Sequence, residues 1–219
     1  MKTKQNQPVR GVVFDLDGTL VDSLSVTFAA FNHGILSQGG KHHEPLELMK
    51  YFGPGEDRIF AAILGSERKA EAAYQACRQY LDENLDRVPL HAGILDLLEE
   101  LKRRSIPISI FTGRSWNTTE VILKHHGMMD RFVTVVANDH VGHPKPSPEG
   151  LHLALSRMRM EPSEVLFVGD TWTDMRAAQS AGSRGVAALW DLMADRAQMS
   201  MYEPRHFAGK PAEILELLD

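Results

Sequence analysis

The chain has 219 residues, of which 43% are hydrophobic and 24% charged, with a formal net charge of −5. That size suits one large domain or a core with a smaller insert, and the acidic balance gives no general attraction to nucleic acid or to an anionic membrane. Cys77 is the only cysteine, which excludes an intramolecular disulfide and makes a reducing, cytoplasmic setting the simplest expectation.

Met1 to Arg10 are polar and basic and do not read as a secretory signal. No apolar run approaches the ~18 residues needed to span a bilayer. The first apolar run, Val9–Asp15, reads as a buried strand. It ends in Asp15-Leu16-Asp17-Gly18-Thr19, so two carboxylates stand where a strand stops and a glycine lets the backbone turn. Two acids this close repel unless a cation or a proton lies between them. The arrangement suits a hard cation such as Mg²⁺ and a carboxylate that attacks phosphorus. Asp is also common in helix caps and turns, and this short motif alone does not decide between the two.

From Leu24 to Arg87 no strand is evident. The periodicity predicts helices over Ser25–Gln38, Leu46–Phe52, Asp57–Leu64 and Glu67–Leu85, broken by Gly39-Gly40, Pro45 and Pro54. This stretch reads as a small all-α domain over residues 24–87, inserted into a core formed by 1–23 and 88–219. The core then alternates. Strands are predicted at Ile106–Thr112, Phe132–Ala137, Val165–Asp170 and Gly185–Trp190, with a short one near Arg205–Ala208. Helices are predicted over Gly93–Arg104, Ser115–His126, Pro148–Met160, Asp174–Ala181 and Pro211–Leu218. Such alternation implies a parallel sheet covered on both faces, a Rossmann-like α/β core.

Three further strand ends carry polar groups. Phe111-Thr112-Gly113-Arg114-Ser115 offers a hydroxyl, a glycine N–H and a helix start as an anion cradle, with Arg114 placed for a bidentate phosphate contact. Taken alone, that stretch is explained more simply by a plain strand-to-helix turn with a Ser or Thr cap. Lys145 lies between Pro144 and Pro146; it is either a stiffly held charge for a phosphate or carboxylate, or a solvated lysine in a rigid turn. Gly169-Asp170-Thr171-Trp172-Thr173-Asp174 adds two carboxylates, of which Asp174 could serve only its helix N-terminus. Four successive strand ends bearing acids, a hydroxyl, a lysine and two more acids are an improbable coincidence at one sheet edge.

The set Asp15-x-Asp17-Gly18-Thr19, Thr112-Gly113, Lys145 and Gly169-Asp170-Thr171-x-x-Asp174 resembles the four motifs of the haloacid dehalogenase-like superfamily, over nearly the whole chain. The insert is similar to the α-helical cap of the phosphoglycolate phosphatase and β-phosphoglucomutase subgroup. The resemblance implies Asp15 as nucleophile and Asp17 as general acid and base. It implies Mg²⁺ held by Asp15, the Asp17 carbonyl, Asp170 and Asp174, with Thr112 and Gly113 on the phosphoryl oxygens and Lys145 offsetting charge. An Asp at position 17 points to phosphate esters and away from dehalogenation. In the cap, Gly53 and Arg58 are candidates for substrate contact, or else parts of a helix–helix turn. The expected substrate is a small phosphorylated metabolite such as phosphoglycolate, acted on by a monomer or homodimer without nucleic acid or membrane. A sugar-phosphate mutase, a pyrophosphatase and a non-enzymatic binding module are the alternatives. Adjacent pairs such as His42-His43 and His125-His126 give no zinc pattern.

Overall fold

The computed structural model describes residues 8–53 and 55–218; the first seven residues, Pro54 and Asp219 lie outside them. Six strands form one sheet: β1 (Gly11–Phe14), β2 (Ile108–Phe111), β3 (Val135–Val136), β4 (Val165–Gly169), β5 (Arg184–Ala188) and β6 (His206–Ala208). Their order is β3-β2-β1-β4-β5-β6, and every pairing is parallel. Val12 of β1 lies opposite Ile108 of β2 on one side and Leu166 of β4 on the other. The strand order reverses at β1, so the crevice for a ligand opens beyond the carboxyl end of that strand.

The strands alternate between two cores, as the two-residue period of a pleated strand requires. Val12, Phe14, Leu166 and Val168 belong to one cluster, while Val13, Val165 and Phe167 belong to the other. Both faces are buried, which is why each strand reads as a continuous apolar run.

Between β1 and β2 come α1 (Leu24–Ser37), α2 (Pro45–Leu48), α3 (Glu56–Leu64) and α4 (Glu67–Glu83). They share a core of their own around Phe28, Phe31, Ile35, Phe60, Ala73 and Cys77. A methyl group at Gly34 would lie 2.4 Å from the Ala73 carbonyl, so the glycine lets α1 and α4 approach closely. α5 (Ile94–Arg103) and α6 (Trp116–His125) cover the Val12 face, and α7 (Glu149–Met158) and α8 (Trp172–Ala181) cover the Val13 face. A short α9 (Arg196–Ser200) follows β5.

The architecture is the expected α/β core with a helical cap; the strand expected over Phe132–Ala137 is confined to Val135–Val136, and four helical segments differ. The segment expected to be one helix over Leu46–Phe52 is α2, which starts at Pro45 with Glu44 and Glu47 capping its first turn, followed by a 3₁₀ turn at Met49–Tyr51. Pro211–Leu217 is a 3₁₀ helix and not the expected α-helix. Pro211 and Ile214 are buried, and Leu215, Leu217 and Leu218 pack partly against the core. α8 begins at Trp172 and not at Asp174, since Thr171 caps the helix and Asp174 is its third residue. α9 was not expected from its sequence; Asp195 starts it by accepting from the Ala197 and Gln198 N–H groups.

Candidate active site

Asp15 immediately follows β1, and its N–H continues the ladder to the Val168 carbonyl of β4. The aspartate is 7% exposed. Its Oδ1 accepts from the Leu16 N–H at 2.7 Å and from Lys145 Nζ at 2.8 Å. Lys145 also donates to Asp174 Oδ1 at 2.7 Å. The ammonium lies 5.1 Å from the Phe111 ring centre and 5.5 Å from that of Phe167, so two strand-end aromatics support it from below. Asp170 follows β4 and accepts from the Thr19 hydroxyl at 2.9 Å. Gly18 has φ +71°, and a methyl group there would lie 2.3 Å from Asp170 Oδ2. Glycine is therefore required at the turn that brings Asp15 and Asp170 together.

Oxygens of Asp15, Asp170 and Asp174 lie within 4.8 Å of one another. Among the described residues this is the one such group of acidic, histidine or cysteine ligands, and it contains no histidine. Burial raises the Asp15 carboxyl to about 7, with Asp174 and Asp17 adding to the rise and Lys145 opposing it. Burial likewise pushes Asp170 well above the carboxylate range, and Asp15 and Asp174 push it further. On Lys145, burial favours the neutral form, but Asp15 and Asp174 outweigh it and hold the lysine protonated. Counting Asp17, four carboxylates face Lys145 and Arg114. If all four ionise, two negative charges are left without a partner, and hard oxygen donors in this number fit a divalent cation that would replace the protons.

Asp17 sits two residues beyond Asp15 and is held differently. Arg114 grips it with both arms, Nε on Oδ2 at 3.0 Å and Nη2 on Oδ1 at 2.6 Å, and the Ser23 hydroxyl donates to Oδ1 as well. Burial would raise this carboxyl, but Arg114, Ser23 and Lys145 together hold it below the usual carboxylate range. The expectation of an Arg114 guanidinium free for phosphate is thus corrected: it is 7% exposed and bound to Asp17 and, at 2.7 Å, to the Thr27 hydroxyl of α1. A fork matched to two carboxylate oxygens pairs more favourably with a fixed carboxylate than with a mobile ligand.

The helix start after β2 is also occupied. Glu56, the first residue of α3 in the cap, accepts from the Ser115 N–H at 2.9 Å and the Thr118 hydroxyl at 2.7 Å. Asp139 accepts from the Trp116 N–H at 2.8 Å. The first free N–H groups of α6 therefore go to protein carboxylates and not to a substrate anion. Thr112, 1% exposed, accepts from the Arg114 N–H at 3.1 Å and closes the turn. Gly113 lines the cavity, and a methyl group on it would meet nothing within 4 Å, so open space faces its backbone.

A cavity of about 650 Å³ joins this edge to the cap. Asp15, Asp17, Gly113, Arg114, Lys145 and Asp170 line its floor, and Gly53 lines its roof. Gly53 has φ +134°, and its carbonyl accepts from the Asn138 side chain at 3.2 Å. Arg58 does not reach the cavity: it lies on the exposed side of α3, away from the buried Ile59 and Phe60. Asp174 is fully buried, with Oδ1 on Lys145 and Oδ2 on the Thr171 N–H. Sequence reasoning missed Ser23, Thr27 and Glu56. Glu56 carries no local signal, because its partners are 59 and 62 residues away.

The sequence profile described as haloacid dehalogenase-like hydrolase matches residues 12–188. This chain belongs to that family, and its site is that of a phosphatase-class enzyme. It is 31% identical over 211 residues to pyrophosphatase PpaX of Bacillus mycoides, covering 96% of this chain and 97% of the relative. In fold it is similar to a predicted phosphoglycolate phosphatase from Haemophilus somnus, with TM-score 0.83, 22% identity and 99% of each chain covered. It is also similar to a variant of CbbY from Rhodobacter sphaeroides in complex with xylulose-(1,5)bisphosphate, with TM-score 0.84, 23% identity and 96% and 99% covered.

Proposed function

We propose that the protein is a Mg²⁺-dependent phosphatase for small organic phosphate monoesters, working through a phosphorylated Asp15. The observation that carries this reading is the meeting of Asp15, Lys145, Asp170 and Asp174 at one sheet edge with Asp17 above them. In it, Asp15 would attack phosphorus through a carboxylate oxygen, forming a P–O bond as the bond to the alcohol breaks. Asp17 would give the leaving alkoxide a proton, then take one from the water that attacks the phosphorylated Asp15. Phosphate leaves and Asp15 is restored. Lys145 would neutralise charge on Asp15 and the transferring phosphoryl group, and Gly113 would let that group approach the backbone, with Thr112 fixing the turn. Asp15, Asp170, Asp174 and the Asp17 carbonyl would hold the Mg²⁺, which when bound supplies charge stabilisation to the phosphoryl oxygens. Residues 24–87 would act as the cap over the core formed by 1–23 and 88–219.

Replacing Asp15→Asn removes the attacking oxygen's charge while keeping its shape. Phosphate release from a chromogenic phosphate ester with Mg²⁺ is expected to vanish; substantial residual release would sink the assignment. Pyrophosphate hydrolysis is a second reading. It is favoured by the similarity to pyrophosphatase PpaX over nearly the whole chain.

A further inference from the structure

The cavity above Asp15 has two unlike ends. Its floor is charged, but its roof is a cluster of rings from the cap: Phe52 lies 5.9 Å from Phe28 and 5.4 Å from Phe31, centre to centre. At the mouth, Leu46 and Met49 from the cap face Trp172 and Met193 from the core side. Four of the nine large apolar side chains exposed among the described residues line this one cavity. Leu46 is 70% exposed, and Trp172, stacked on Tyr202 at 5.9 Å, is 38% exposed. Apolar surface gathered this way around a catalytic floor marks a ligand-binding wall.

The cations of the same cavity are accounted for. Arg114 is bound to Asp17 and Lys145 to Asp15 and Asp174. Arg58 lies outside the lining, and among the described residues Lys50, exposed at the rim, is the one other cation that lines the cavity. A leaving group with a second negative charge would meet one solvated lysine and a wall of rings. A desolvated anion needs a partner there, whereas an apolar body needs only area.

We propose that the preferred substrate is a monophosphate ester whose alcohol carries an uncharged alkyl or aryl body, seated against Phe52, Leu46 and Met49 of the cap and Trp172 beside them, with no second anionic group. This rests on the phosphatase reading and narrows it, since phosphoglycolate, a sugar bisphosphate and pyrophosphate all carry further charge.

The test is a series of ethyl, butyl and hexyl phosphate with the full chain and Mg²⁺. The three leaving alcohols have closely similar basicity, so differences report on contact with the wall and not on the chemical step. Each buried methylene contributes roughly a several-fold gain, so kcat/KM is expected to rise at least about tenfold from ethyl to hexyl. Hexyl phosphate should also exceed phosphoglycolate and pyrophosphate. Met49→Ser and Trp172→Ala, both at exposed positions, should flatten the rise without unfolding the protein. A flat series, or preference for phosphoglycolate or pyrophosphate, overturns the proposal while leaving a phosphatase. Calorimetric binding of ethylphosphonate and hexylphosphonate reads the same wall without turnover. A chain that releases no phosphate from any ester yet binds hexylphosphonate more tightly refutes the phosphatase reading and leaves the apolar subsite standing; equal binding of the two phosphonates refutes the subsite.

Discussion

At the scale of single residues, the two aspartates that end β1 are held in opposite electrostatic states. Asp15 is buried among other acids and rises to about 7, whereas Asp17, clasped by Arg114, stays below the usual range. The consequence for stability follows from the sign of each shift. Asp15 gains a proton on folding, so the metal-free protein loses stability as pH rises from the unfolded value of 3.8 towards about 7. A divalent cation takes the place of that proton. Mg²⁺ is therefore expected to raise the thermal midpoint strongly at pH 8 and little at pH 5; equal stabilisation at both would contradict the site. Asp17 behaves in reverse, contributing stability that is present above 3.8 and lost as pH falls through its lowered folded value. Arg114→Ala should destabilise the protein at neutral pH, with a deficit that shrinks in acid. It should also move the alkaline limb of the kcat/KM profile upwards, because the carboxyl then rises towards the ordinary range. An alkaline limb that stays in place would show that Arg114 does not set the acidity of Asp17.

At the scale of elements, the cap is tied to the core through the start of α6. Glu56 is 6% exposed and accepts from the Ser115 N–H and the Thr118 hydroxyl, while Tyr74 of α4 pairs with the Ser115 hydroxyl at 2.8 Å. Removing one partner of such a buried set leaves donors unsatisfied, at about 1–3 kcal/mol. Glu56→Ala should lower stability by about that amount and increase hydrogen exchange at Ser115, with exchange in the far strands β5 and β6 unaffected. Protection at Ser115 equal to that of the parent chain would show that the contact is not formed in solution. The segment after β1 read as helical from its periodicity, and α1 and α4 bear that out to within two residues at each end. The split of α2 was not legible in the same way. The apolar positions run on through Leu46–Phe52 without marking the change from α2 to a 3₁₀ turn at Met49.

At the scale of the whole molecule, two apolar cores meet at one step of α4. Tyr80 packs against both clusters, and Leu81, 2% exposed, belongs to the core cluster with Val88 and Leu97. The cap is thus joined to the sheet by shared side chains as well as by two chain crossings. Leu81→Ala should cost about 2–5 kcal/mol, and calorimetry of the parent chain should give a single transition in which cap and core unfold together. Two resolved transitions would mean the shared step is too weak to couple them. Among the described residues no helix is long and apolar enough to cross a membrane.

The sequence by itself determined the strand ends. Apolar runs followed by acids, a lysine and glycines identify which residues stand at the carboxyl edge of the sheet, because strand burial and turn geometry are local properties of the chain. The acids and the lysine do gather there: Asp15, Lys145, Asp170 and Asp174 come together because a parallel sheet brings the carboxyl ends of β1, β4 and the loop after β3 to one side. What only the tertiary structure decided is how the remaining charges pair. Arg114 bonds to Asp17, 97 residues away, and Glu56 fills the helix start that the sequence left open between an anion cradle and a plain turn. The choice of partner for a buried charge is set by which opposite charge the fold desolvates beside it, and that proximity has no signature in residue spacing.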